Sequence, residues 1–200
     1  MSGSDCLDAQ FSAKCGLKTS DSDNKHLECV PMLLMDVKHC SASSPTFFEA
    51  FDGKVHFRTI MVHARIVGKL VLSKNNGHYK FEIDDNTSIL PLFIPKKEGD
   101  ILELQRLRNE VFIRKSIKEN SDILIALEKL LNKTRKQLDP SRIAVGNKVF
   151  VFGRPDLFRG QVGVFGFSWD IDTGCDRTME LAFKDEIIDW YMNIYKTSKR

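Results

Sequence analysis

Two adjacent carboxylates, Asp84 and Asp85, stand in the stretch HYKFEIDDNTSILPLFIP (residues 78–95). Paired carboxylates are what metal sites and acid–base pairs are built from. No histidine or further carboxylate lies at ligand spacing beside them. Asp and Asn also hydrogen-bond their own backbone in turns, so Asp84, Asp85 and Asn86 read as the corner between two short strands. His26, Cys29, His39 and Cys40 are zinc-type ligands, but their spacings fit no zinc pattern. His56, His63 and His78 are isolated among strand residues and read as structural or exposed. The chain carries no nucleophile elbow, phosphate loop or HExxH motif. The expectation is a protein that is not an enzyme, with no catalytic residues, no metal and no cofactor.

The 200 residues, 42% of them hydrophobic, suffice for one sizeable core. Net charge is only +3, but its distribution is uneven: residues 1–50 carry 4 basic and 7 acidic groups, leaving 26 and 20 for the remainder. Lys129, Lys133, Arg135, Lys136, Arg142, Lys148, Arg154 and Arg159 crowd one window against Asp139 and Asp156. This window is either a polyanion-attracting patch or a solvated helix face. Five cysteines without a CxxC pair predict free thiols in a reducing, intracellular compartment. No apolar run reaches the roughly 18 residues that span a bilayer, and the N-terminus has no signal-peptide pattern, so no membrane association is expected.

Residues 1–45 read as a mostly flexible tail with an apolar island, VPMLLMDV (30–37). The island either docks on the body as an edge strand, the preferred reading, or serves as a linear motif. From about residue 58 the alternation of Ile60, Val62, Ala64 and Ile66 is that of a strand, and Gly68 marks a bend. NNG (75–77) is a turn signal, and Tyr79, Phe81 and Ile83 alternate after it. DILELQRLRNEVFIRKS (100–116) reads as two further short strands around RN. A helix follows from Ser121 to about Leu138, with Ile123, Leu127, Leu130, Leu131 and Leu138 on one side. GNKVFVFGRPDLFRGQVGVFGFSWDID (146–172) is a hairpin-like pair with RPDLFRG at its tip. The chain closes with a helix on which Phe183, Ile187, Trp190, Tyr191, Ile194 and Tyr195 recur at helical spacing. This gives three domains of organisation: the tail, a body at 46–182 with an insertion at 100–140, and a helix at 183–200.

The order β-β-β, helix, β-β with a terminal helix is the ground plan of an OB-fold, a mainly β, five-stranded barrel. The IDDNT corner, the VFVFG strand and the loop with an aromatic residue followed by polar ones sharpen this. Residues 55–196 resemble the middle subunit of replication protein A and the Stn subunit of the CST telomere complex, and most of all a telomere-capping member of that class. The resemblance implies a subunit in the nucleus, at chromosome ends, that binds single-stranded DNA and pairs with a smaller OB-fold protein and other telomere-capping proteins. It places Phe158 as a base-stacking aromatic; Arg154 and Arg159 beside it supply phosphate neutralisation, and Lys74 and Lys80 either line the same groove or serve only solubility. A second stacking aromatic is expected near Pro95 or Lys96 and is missing; Phe93 either substitutes for it or belongs to the core. For the terminal helix, a partner interface through Phe183, Ile187, Trp190, Tyr191, Ile194 and Tyr195 is preferred over packing beneath its own barrel. The competing function is an interaction scaffold with little intrinsic DNA binding.

Overall fold

The computed structural model describes residues 26–70, 77–116, 121–158, 161–174 and 177–195. Its organising element is one long strand, labelled β4 (Val55–Leu70), whose alternation sends Ile60, Val62, Ala64 and Ile66 inward. Four elements precede it among the described residues: β1 (His26–Pro31), α1 (Leu34–Lys38), β2 (Ser41–Ala42) and β3 (Phe48–Ala50). After it come β5 (His78–Asp84), β6 (Ile89–Pro95), α2 (Glu98–Ser116), α3 (Ser121–Leu138), a 3-10 turn (Pro140–Arg142), β7 (Lys148–Phe158), β8 (Gln161–Asp172) and α4 (Thr178–Trp190).

The hydrogen-bonded order β4-β5-β6-β8-β7 returns to β4 through a β4–β7 pairing, so five strands close on themselves. Only the β6–β8 pairing in that ring is parallel. This is the expected OB-fold plan, and closure removes the exposed edges that an open sheet would present. Leu92, Val149, Val151, Val164, Phe81 and Ile83 fill its interior. The predicted bend at Gly68 is a register shift between Ile66 and Gly68, where a Cβ would lie 2.4 Å from Glu82 Oε2.

Three sequence expectations differ from the structure. The segment 100–116 is not a pair of strands but part of α2, which packs antiparallel-hairpin fashion on α3 through Leu104, Val111, Leu124 and Leu131. Leu104 and Val111 are seven residues apart, two turns of helix, and Glu110–Arg114 and Glu103–Arg106 pair along it, whereas RN lacks the glycine that a two-residue hairpin turn favours. On α3 the seam is Leu124 and Leu131, leaving Ile123, Leu127 and Leu130 exposed. Second, RPDLF (154–158) is strand rather than loop: Arg154 to Phe158 pair with Phe165 to Gln161. β4 pairs β7 only as far as Gly153, so Pro155 sits where β7 has a free edge and its missing N–H breaks no ladder.

Third, the second half of the expected tail belongs to the body. β1 runs parallel to β4, pairing His26–Pro31 with His56–Met61, and Val30, Met32, Leu34 and Val37 are buried. The island therefore docks, partly as strand and partly as helix. The acidic corner secures it. Asp85 Oδ1 accepts from Thr87 N (2.9 Å) and Asp84 Oδ1 from Asn86 N (2.8 Å), while Asn86 takes φ +69°, a conformation that Asn tolerates. Asp85 Oδ2 then accepts from Leu34 N (2.8 Å) and Thr87 Oγ1 from Met35 N (3.1 Å), capping α1 from across the fold in place of the apolar Leu33. The corner is structural, and it holds an element 51 residues away in sequence.

Candidate nucleic-acid interface

Strand alternation fixes which side chains leave the barrel. On β6, Leu92 and Ile94 enter the core, so Phe93 faces outward. Its register neighbours are Lys80 on β5 and Phe165 on β8, and Phe165 pairs in turn with Arg154 on β7. One row across four strands thus reads cation, aromatic, aromatic, cation. Lys80 Nζ lies 5.6 Å from the centroid of the Phe93 ring, and the Arg154 guanidinium lies 5.6 Å from that of Phe165 and 5.9 Å from that of Phe167. His78 stands edge-on to Phe165 at 5.5 Å. These are cation–π and T-shaped geometries that hold rings and charges in fixed positions.

The rows on either side differ in sign. Toward one side, Glu82 pairs with Pro91, and Asp156 with Gly163, so carboxylates bound the row. Toward the other lie His78, Pro95 and Phe167, and Lys97 Nζ donates to the Phe167 carbonyl at 3.4 Å. On this face the Glu82–Asp156 side repels an anion and Lys97 attracts one on the other. Gly163 makes the floor possible: a Cβ there would stand 2.8 Å from Pro91 O and 3.1 Å from Phe93 Cε2. Phe93 is only 7% exposed, a floor beneath its neighbours, whereas Phe167 is 40% exposed. Arg154 Nε is buried with no hydrogen-bond partner among the described residues.

Of the six residues expected to touch DNA, the structure brings Lys80, Phe93 and Arg154 into this row. Phe158 ends β7 opposite Gln161, and its side chain lies outside the described residues, as do Arg159 and Lys74. Sequence reasoning missed Phe165, Phe167 and His78. The signal for Phe165 and Phe167 was the spacing in GVFGFSW, where aromatics two apart alternate with glycine and so share one face of a strand.

The expected partner residues are placed differently. Phe183, Ile187, Trp190 and Tyr195 are buried, and Tyr191 and Ile194 pack against the same core. Phe183 and Ile187 cover Met61 and Phe150 on the outside of β4 and β7, together with Cys29 of β1. Beyond Trp190 the helix widens into a π-turn, Tyr191–Tyr195, where Tyr195 OH donates to Pro31 O (2.8 Å) and Tyr191 OH donates to Asp36. Phe51 stacks on the Tyr195 ring at 4.4 Å and meets Tyr191 edge-on at 5.6 Å, while the docked N-terminal segment accepts the two hydroxyls. The outward face of α4 carries Leu181 and Ile188 instead, seven residues apart, and Met192 of the π-turn is exposed beyond them.

Beneath α4, His63 Nε2 lies 3.2 Å from Asp172 Oδ2, with the imidazole between Phe150 and Phe183. Burial pushes the His63 pKa down, and Asp172 opposes this. Nearby, Lys148 and Lys184 both pair with Glu180 and hold its carboxyl down at about 2. Among the described residues no three His, Cys, Asp or Glu side chains converge as metal ligands, and no helix is long and apolar enough to cross a membrane.

Comparison with solved structures places this fold among OB-fold subunits. The chain aligns with the S. pombe Stn1–Ten1 complex at TM-score 0.54 and 18% identity, over 84% of this chain and 95% of that one. It aligns with yeast Stn1 and Ten1 at 0.52 and 14% identity, over 89% and 78%. For a replication protein A heterotrimer bound to ssDNA the values are 0.50 and 11%, over 83% and 97%. In sequence it is 29% identical over 180 residues to protein verrocchio of Drosophila melanogaster, covering 88% of this chain and 80% of that protein. The family model of the telomere-capping protein Verrocchio matches residues 24–191, from β1 to the first residue of the π-turn, and the chain belongs to that family.

Proposed function

We propose that this chain is a non-catalytic subunit of a telomere-capping complex in the nucleus that binds single-stranded DNA across the outer face of β5, β6, β8 and β7. The observation that carries this reading is the row Lys80–Phe93–Phe165–Arg154. Base stacking on aromatics beside phosphate-neutralising cations is the standard means of holding single strands without sequence readout. Phe165 and Phe167 supply the rings, Arg154, Lys80 and Lys97 the charge, and Phe93 the floor. The same protein assembles with a smaller OB-fold partner through α4, by its outward Leu181 and Ile188, with Met192 beyond them, rather than by the buried rings.

The test is fluorescence anisotropy of a labelled oligothymidylate titrated at two salt concentrations. A stacked base contributes about 1–3 kcal/mol, so Phe165→Ala should weaken binding by about 5- to 150-fold, and affinity should fall as salt rises. Unchanged affinity in Phe165→Ala would remove this face from the account. The scaffold reading is favoured by one feature, that Phe93 and the Nε atom of Arg154 are buried in the protein itself. Absence of DNA binding by the folded protein, with its OB-fold partner supplied, would select it.

A further inference from the structure

β8 pairs with β7 in two registers. Ser168 stands opposite Phe152 but Gly166 opposite Gly153, so Phe167 is an extra residue with no opposite number on β7. A β-bulge of this kind re-aims the side chains around it. Here it leaves Phe167 and Ser168 both exposed, while Trp169 beyond them turns back into the core. Phe167 meets Phe165 edge-on at 5.7 Å and so extends the aromatic row along β8.

Facing the bulge is the C-terminal end of α3. Thr134, Gln137 and Leu138, at i, i+3 and i+4, share one face of that helix, and with Lys97, Phe167 and Ser168 they line a cleft of about 170 Å³. Lys97 is the only charged residue lining it among the described residues. Its ammonium donates to the Phe167 carbonyl at 3.4 Å and has no ion-pair partner among the described residues. The Gln137 amide and the Ser168 hydroxyl likewise make no hydrogen bond among the described residues, and Thr134 Oγ1, which donates to Leu130 O (3.0 Å), keeps its lone pairs. Apolar walls with a few unpaired polar groups suit a small planar ligand. A cation without a carboxylate beside it selects an anion. The amide sets a donor next to an acceptor, which is what the edge of a nucleobase offers in return. A leucine or phenylalanine from a partner protein would leave both the amide and the hydroxyl unpaired.

We propose that this cleft takes one nucleobase of the strand bound on the aromatic row, its edge hydrogen-bonded to Gln137 and Ser168 and its phosphate set against Lys97. The slot presupposes the DNA reading of the row and adds to it a position where a base is held by its edge as well as stacked.

The test uses the full chain and labelled oligothymidylates of the shortest length that reaches full affinity, with thymidine throughout or with abasic nucleotides at one end or the other. For the parent protein, abasic nucleotides at one of the two ends should weaken binding by about fivefold or more. Gln137→Leu should lose a similar factor on the all-thymidine probe and be indifferent to that abasic end. Its thermal midpoint and salt dependence should match the parent's, because Gln137 is exposed and uncharged. Lys97→Met should lower the salt slope by about one. Phe165→Ala reads the row separately and should weaken the all-thymidine and abasic-ended probes alike. If Phe165→Ala weakens binding but Gln137→Leu binds as the parent does, or abasic nucleotides at neither end matter, the slot is refuted and the row stands. If neither substitution changes affinity, or the folded protein binds no oligothymidylate, row and slot fall together. Loss of affinity for the smaller OB-fold partner in Gln137→Leu, with oligothymidylate binding intact, would assign the cleft to a protein and refute the slot.

Discussion

Ile187 and Ile188 are neighbours in sequence with opposite surroundings, and replacing each by alanine separates the two faces of α4. Ile187 is 4% exposed, against Cys29, Met61, Phe150 and Phe183. Ile188 is 57% exposed. Ile187→Ala deletes three buried carbons at about 0.8 kcal/mol each, and the stiff rings of Phe150 and Phe183 limit collapse into the space, so a cavity contribution adds to it. The expected loss is about 3 kcal/mol, which for a chain of this size lowers the thermal midpoint by about 6–12 °C. Ile188→Ala should stay within about 0.5 kcal/mol, or about 2 °C. Thermal denaturation followed by circular dichroism reads both, and calorimetric titration with the smaller OB-fold partner should rank them the other way, Ile188→Ala losing affinity while folded Ile187→Ala keeps most of it. If Ile188→Ala is the destabilised variant, or if both melt with the parent protein, the assignment of faces is wrong and the buried rings return as the partner surface.

Two further substitutions probe the frame. Gly153 faces Gly166 across the hairpin, and a Cβ there would lie 2.2 Å from the Phe165 carbonyl, so Gly153→Ala must displace backbone; it should cost about 1–3 kcal/mol in urea denaturation, and a neutral result would refute the close approach. Glu180 has its carboxyl held at about 2 by Lys148 and Lys184, against an ordinary 4.5, so its stabilising contribution is fully present above about pH 4.5 and is lost as the pH falls toward 2. Because Lys184 is partly solvated, screening leaves about 1–2 kcal/mol. Glu180→Gln should therefore lower the urea midpoint at pH 7 and narrow its deficit at pH 3; an equal deficit at both would show that the loss is not ionic.

The barrel was legible because its strands are two-sided. Ile60, Val62, Ala64 and Ile66, then Phe81 and Ile83, alternate strictly, and the IDDNT corner carries its own backbone hydrogen bonds, so each statement rests on neighbours in sequence. The α2 segment was not legible in the same way. Its apolar residues do not fall on one face, since Leu102, Phe112 and Ile113 are exposed while Leu104 and Val111 are buried, and the seam that these two form is with Leu124 and Leu131 of α3. Three of the four residues of the candidate DNA row, Lys80, Phe93 and Arg154, were named from the sequence, but the addition of Phe165 depends on the register of β8 against both β6 and β7, which are remote in sequence.

With residues 26–45 counted as tail, the terminal helix carries more aromatic surface than a barrel alone can cover, and a partner becomes the natural place for Trp190, Tyr191 and Tyr195. With β1 and α1 docked, Pro31 and Asp36 accept the two tyrosine hydroxyls, and the excess disappears. Asp85 caps the short α1 that presents Asp36 to Tyr191. A short turn motif thereby governs which side of a helix 100 residues later faces solvent, and the side it leaves outside, Leu181 and Ile188, is a plain aliphatic stripe that no composition argument would have singled out.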